Sequence, residues 1–306
     1  MIARGVRTGA LLMVIGACAS TAAVPAATGA TPGTGSSRAA IATPSGPAAA
    51  GVDPDARFWY AATIPLGRAP ADSLVNQNGS PRILDRRFYD AYWADHAPTL
   101  AAWSADSRLR LNPNFVAALM AKESGFDPRA TSSVPANGIA QITHIADLDL
   151  RIITRDAAAW RWMYDEVRRW PRSPVVHDSA ATKSRTDSLV RAGTLGARTE
   201  YLFDPRLSTR ASLFWLRILA HVWTEDSWPG QYGTMARTRL AGGGALSESD
   251  LLALVTVSYN QGHPYVADLV QRHGRGWTSH LNEESSDYLE RIAKYTAIFQ
   301  RAATGR

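Results

Sequence analysis

The sequence predicts a mainly α-helical domain, and three observations predict it. Beyond about residue 52, large apolar residues recur at helical spacings of three and four positions. Start signals of the Ser-Pro, Asn-Pro and Ser-x-x-Asp kinds stand just ahead of the apolar runs. Runs that alternate apolar and polar residues are scarce and short, so any sheet must be small.

The first segment, residues 1–18, reads as an address. Arg4 and Arg7 precede an apolar run from Ala10 to Ala17, the charged start and short apolar stretch of a secretory signal. The run is too short to span a bilayer, which takes about 20 apolar residues. It ends in Ile15-Gly16-Ala17-Cys18, which is similar to the lipobox of bacterial lipoproteins, where the Cys receives lipid and becomes the first residue. On that reading Cys18 anchors the protein to a membrane, and Ala19 suits sorting to an outer membrane, facing the periplasm. The alternative is an ordinary signal peptide cut between Cys18 and Ala27, leaving a soluble periplasmic or secreted protein. Residues 19–52 are Ala, Thr, Gly, Ser and Pro with almost no charge, the composition of a flexible tether.

Residues 53–108 are expected to add N-terminal helices to a main domain over 109–306. Ser80-Pro81 places an N-cap before a helical segment running through Trp103. Asn112-Pro113 repeats the signal ahead of Phe115 to Glu123, where Phe115, Leu119 and Glu123 share one stripe flanked by Val116 and Met120. Gly125 supplies the stop. A long apolar helix covers Ser208 to Val222. Ser247-Glu248-Ser249-Asp250 caps another through Val257, and Ser286 to Phe299 forms a last one with Tyr288, Ile292 and Tyr295 on one face.

Composition narrows the function classes. Of 306 residues, 45% are hydrophobic and 20% charged, which is ordinary globular usage. A net charge of +6 and a pI near 9.7 permit an anionic substrate. The cations are scattered Arg rather than a stripe, so no nucleic-acid partner is expected. A single cysteine rules out an intrachain disulfide, and the seven histidines lack ligand spacing, so neither metal nor cofactor is expected. Two aromatic clusters, Phe58-Trp59-Tyr60 with Tyr89, Tyr92 and Trp93, and Trp160 to Trp170, suit core or groove-wall packing better than a sugar platform.

Glu123 is the candidate for chemistry. Its place on an apolar stripe turns its carboxyl away from water, and desolvation favours the neutral acid. The negative end of the helix macrodipole pushes the same way. A carboxyl that still holds its proton near neutral pH is what glycosidic cleavage needs from a general acid.

The residues around Glu123 resemble a known family. Glu123-Ser124-Gly125-Phe126-Asp127-Pro128, the Ser-rich loop Ser132 to Ala136 and Gly138-Ile139-Ala140-Gln141 are similar to blocks of the soluble lytic transglycosylase and goose-type lysozyme superfamily (the SLT domain). Val257-Ser258-Tyr259-Asn260-Gln261-Gly262 resembles the family's Ala-Tyr-Asn-x-Gly element, and Glu284-Ser285-Ser286-Asp287-Tyr288 its Glu-Thr-x-x-Tyr. The resemblance implies a lysozyme-like fold with extra N-terminal helices and an inserted segment over about 151–199. It implies that Glu123 is the catalytic acid and then base, and that Ser124, Ser132, Gln141, Tyr259, Asn260 and Tyr288 line a groove for peptidoglycan glycan strands. Tyr259 and Tyr288 equally suit packing, and Gln141 and Asn260 equally suit capping.

Most glycosidases use two carboxylates, yet no second one stands where the family would use it, and Asp127 reads as a turn residue. The resemblance therefore implies a lytic transglycosylase with a single acid, closing the muramoyl 6-hydroxyl onto the anomeric carbon without water. Alternatives are a hydrolytic muramidase on the same fold, a non-catalytic wall-binding scaffold lipoprotein, and a part of an envelope-crossing machine. Two departures from the family, Ala140 for Met and Pro135 for Gly, are expected to alter the groove. The piece over 151–199 is expected to form a groove wall, a lid or a partner surface.

Overall fold

In a computed structural model of the protein, the described residues are 65–74, 84–132, 136–172, 188–189, 191–196, 198–226 and 232–305. Cys18, the tether, Phe58 to Tyr60, Ser80-Pro81 and Pro135 lie outside them. The described chain holds ten α-helices and one two-stranded ladder. The fold is mainly α, as expected.

Helix α1 spans Arg86–Asp95 and is capped by Asp85, whose side chain accepts from the Arg87 amide. The single helix expected through Trp103 breaks at His96, and α2 resumes over Ala97–Ser104 with Pro98 in its first turn. Proline has no amide hydrogen and its ring displaces the preceding turn, so one continuous helix is blocked there.

Helix α3, Pro113–Glu123, begins as expected at Asn112, whose side chain accepts from the Asn114 amide. Every residue from Pro113 to Ala121 is buried. The expected stripe is thus too narrow a description: α3 is enclosed, lying along the last helix, α10 (Glu283–Thr304), and touching α2. Asn114 is fully buried. Its amide oxygen accepts from the Gly67 amide at 2.9 Å, and its Nδ2 donates to Pro65 O at 3.0 Å.

The ladder follows α3, with strands β1 (Ala136–Asn137) and β2 (Ile142–Thr143) pairing Ala136 with Thr143 and Asn137 with Ile142. Helix α4 (His144–Asp156) starts on a Thr143 cap, and α5 covers Arg161–Val167. A 3-10 turn at Tyr201–Phe203 leads into α6, Pro205–Thr224. That helix begins three residues before the expected Ser208, because Asp204 caps it by accepting from the Arg206 and Leu207 amides. Helix α7 is Gly233–Ala241. The expected Ser247/Asp250 start opens α8, Glu248–Gln261, with both reciprocal hydrogen bonds made. Helix α9, His263–His273, packs on α8. Helix α10 outruns the expected Ser286–Phe299 at both ends, since Asn282 caps it, and it buries Tyr288, Ile292, Tyr295 and Phe299.

Of the aromatic clusters, Tyr89, Tyr92, Trp160 and Trp170 belong to the core, and Trp93 and Trp162 pack against it half-buried. Trp160 and Trp170 are buried, and Trp170 stacks on Phe214 of α6 with ring centres 5.8 Å apart. Arg210, only 5% exposed, binds Glu166 of α5 through Nε at 3.0 Å and lies 4.6 Å from the Phe214 ring centre. This side of the domain is packed with rings, and the buried Arg210 reaches out to the half-buried Glu166. No helix among the described residues is long and apolar enough to cross a membrane.

His263, at the start of α9, carries a stability consequence. Burial lowers its pKa from 6.5 to about 4. The folded state therefore keeps this imidazole neutral while the unfolded chain protonates it, so its contribution is full above pH 6.5 and is lost as pH falls through about 4. His263→Gln removes that term. The unfolding free energy of the variant relative to the native chain should rise by about 3 kcal/mol between pH 7 and pH 4, as read from urea unfolding at each pH.

Candidate active site

The site is built on the end of α3. Glu123 is the last helical residue, half-buried, and Ser124 is the C-cap. Gly125 and then Phe126 adopt left-handed backbone, with φ of 66° and 67°. For phenylalanine this costs about 1–3 kcal/mol. The ring more than offsets it: Phe126 is 1% exposed, with ring centres of Tyr89, Tyr92 and Trp93 at 5.2, 5.0 and 5.7 Å. Losing such a ring costs about 3–5 kcal/mol. Helix α1 thereby fixes the direction in which the chain leaves Glu123. Asp127 next accepts from the Arg129 amide at 2.8 Å, the turn role expected for it.

Two phenols meet this helix end. Tyr288 of α10 is buried and donates its hydroxyl to Glu123 Oε1. Burial, and then the charge of Glu123, raise the Tyr288 pKa well above its ordinary value, so the phenol remains a donor at neutral pH. The same two causes act on Tyr259 of α8. Its hydroxyl donates to Ala140 O at 2.7 Å. The Lys122 ammonium sits 5.3 Å from the centre of the Tyr288 ring.

The turn joining β1 to β2 completes the arrangement. Gly138 and Gln141 both have positive φ, 74° and 48°. The carbonyls of Gly138, Ile139 and Ala140 each take a side-chain donor. Gln141 Nε2 donates to Gly138 O and to Ala130 O, both at 2.9 Å. Ser124 Oγ donates to Ile139 O at 2.7 Å, and Tyr259 takes Ala140 O. From behind, Ser208 Oγ of α6 accepts the Ala140 amide at 3.4 Å.

Of the residues expected to line the groove, Glu123, Ser124, Gln141, Tyr259 and Tyr288 are brought together, directly or through this turn. Ser132 stands across the loop, where its Oγ accepts from the Ala136 amide at 3.2 Å. Asn260 is half-buried next to Tyr259, and its Oδ1 accepts from Gln261 Nε2 at 2.8 Å. Ala140 is fully buried. Its methyl faces packing, so the expected effect of this position on groove shape does not come from its side chain. Sequence reasoning missed Phe126 as an anchor, and Leu202 and Ser208 as the backing of the turn. Only Gly138 carried a signal for that backing, since a side chain there would fall on the carbonyl oxygen of Leu202.

Chemically, the arrangement presents one carboxyl that can give or take a proton, with a protonated phenol on one of its oxygens. Among the described residues, no group of three or more His, Cys, Asp or Glu converges as a metal would require.

Residues 101–155, from within α2 to the last turn of α4, match the family model of the transglycosylase SLT domain. That span contains Glu123, Ser124, Ser132 and Gln141. No curated protein and no solved structure gives a significant match. The segment carrying Glu123 is thus of the SLT, lysozyme-like kind, within a mainly α domain.

Gly138→Ala should cost at least about 2 kcal/mol of stability, because both the left-handed backbone and the Leu202 carbonyl oppose a Cβ. Gly276→Ala, which meets open space, should stay within about 0.5 kcal/mol. Thermal or urea unfolding of the two variants compares them directly.

Proposed function

We propose that this protein is a peptidoglycan lytic transglycosylase, cutting the MurNAc-β-1,4-GlcNAc bond without water and leaving 1,6-anhydroMurNAc ends. The observation that carries this reading is the Glu123–Tyr288 hydrogen bond, at the end of an enclosed helix within the segment that matches the SLT model.

In this mechanism the protonated carboxyl of Glu123 gives its proton to the glycosidic oxygen, and the GlcNAc side departs as an alcohol. Positive charge develops at C1 of MurNAc, where the substrate's own N-acetyl oxygen stabilises it. Glu123, now a carboxylate, takes the proton of the muramoyl 6-hydroxyl as O6 bonds to C1. The enzyme ends as it began, and no second carboxylate is needed. The hydrogen bond from Tyr288 favours the carboxylate, so it stabilises the form that Glu123 reaches as its proton leaves. Ser124, Gln141 and Tyr259 hold the turn beside the acid, and Ser132 and Asn260 contribute polar groups nearer the groove.

Work on the cell wall places the protein outside the cytoplasm. We propose the lipobox-like Cys18 as its membrane anchor at the outer membrane. Cys18→Ser should release it from the membrane fraction, and absence of labelled palmitate from the native chain would remove the anchor.

Purified sacculi digested with the protein should yield anhydromuramoyl fragments on mass spectrometry. Fragments heavier by one water would make it a hydrolytic muramidase. Binding without release would make it a scaffold. Glu123→Gln should lower cleavage by at least about a hundredfold, with folding and wall binding unchanged. Tyr288→Phe should retain partial activity and move the ionisation that limits cleavage to higher pH, because a donor to the carboxylate is lost.

A further inference from the structure

A second polar cluster lies behind the site, with Asp147 of α4 at its centre. Asp147 is 3% exposed. Its Oδ1 accepts from Arg151 Nε at 3.0 Å and from the Tyr201 hydroxyl at 2.6 Å, and its Oδ2 accepts from Arg172 Nε at 3.1 Å. Tyr201 is fully buried, lies tilted against Trp170 with ring centres 4.9 Å apart, and donates its amide to Pro171 O at 2.8 Å. Burial and the charge of Asp147 raise its pKa well above the ordinary value, so its hydroxyl remains a donor.

Burying a carboxylate among cations costs several kcal/mol per ion before pairing offsets it, and apolar residues of the same volume often serve stability as well. Such a cluster specifies geometry more than it adds stability. What it orients here is the 3-10 turn Tyr201–Phe203. Leu202, the next residue after Tyr201, presents its carbonyl oxygen where a Cβ of Gly138 would stand. Asp204, two residues further, caps α6, whose Ser208 accepts the Ala140 amide. The line from Asp147 therefore ends on the turn whose Ile139 and Ala140 carbonyls are held by Ser124 and Tyr259. Arg172 and Tyr201 both lie beyond residue 155, outside the span that matches the SLT model.

We infer that Asp147 and Tyr201 are positioning residues for the active site: through Leu202 they set the placement of the Gly138–Gln141 turn against the Glu123 end of α3. This rests on the functional reading above for its catalytic consequence, and on geometry alone for its effect on the turn. It also gives the segment between α4 and α6 a task, which is to carry Arg172 and Tyr201 to the back of the site.

The test uses the full chain with Tyr201→Phe, Asp147→Asn and the double variant. Tyr201→Phe keeps the ring and its packing and removes only the hydroxyl. Amide hydrogen exchange at Gly138 and Gln141 should speed up about tenfold in each single variant, while exchange within α8 stays as in the native chain. On sacculi, kcat should fall about tenfold with KM and wall binding unchanged, since misplacement of a reacting group costs rate rather than affinity. The double variant should lose no more than Asp147→Asn alone, because the two residues act through one contact. Unchanged exchange at the turn in Tyr201→Phe overturns the inference, as does a native-like kcat in both single variants. A native chain that releases no fragments removes the functional reading instead, and exchange at the turn still decides this one. If Asp147→Asn does not fold, Tyr201→Phe and Arg172→Gln carry the comparison.

Discussion

The geometry of the site depends on a turn that the backbone alone would not hold. Between β1 and β2 the chain takes two left-handed residues within four, and one of them, Gln141, is not glycine. Such a conformation persists only when its surroundings over-determine it. Here its carbonyls are each claimed by a side chain from a different quarter: the cap of α3, the side of α8, and Gln141 itself. The backing comes from α6 and the turn before it. Because the Ser124 that holds Ile139 O is the neighbour of Glu123, any shift of the turn is passed directly to the acid.

The same logic governs the exit from α3. Phe126 occupies a backbone region that suits glycine, and the aromatic packing supplied by α1 makes that affordable. The extra N-terminal helices thus serve the site as well as the core. They hold the strained residue three places beyond Glu123, and Trp93 goes on from that cluster to stack on Phe299 of α10 at 5.5 Å. Strain on one side of the acid and a gripped turn on the other leave Glu123 little freedom to move.

Helix starts were legible in the sequence where a cap and a proline or acidic residue stand together, as at Asn112-Pro113 and Ser247 to Asp250, because capping is a local interaction. Asp204-Pro205 is of the same kind, yet an estimate from the apolar run alone starts α6 at Ser208. The break at His96 was missed although Pro98 stands beside it, because the helical pattern continues across it. The pairing of Glu123 with Tyr288 was approachable only through the order of family-like blocks, since the two stand 165 residues apart. The grip on the turn was legible only in Gln141, a residue suited to capping its own turn. The other two donors, a hydroxyl 15 residues away and another 119 away, were not legible, because no periodicity announces a bond to a main-chain carbonyl. Nor was the left-handed Phe126, because residue preference assigns that conformation to glycine and tertiary packing overrides it.

Helix α10 has a consequence for timing. It follows the other nine described helices, is the principal neighbour of α3, and supplies the phenol on Glu123. During synthesis the acid is made long before its partner, so a nascent or truncated chain holds a glutamate but no assembled acid. The contact that completes the site then arrives in one step, with the packing of α10 on α3.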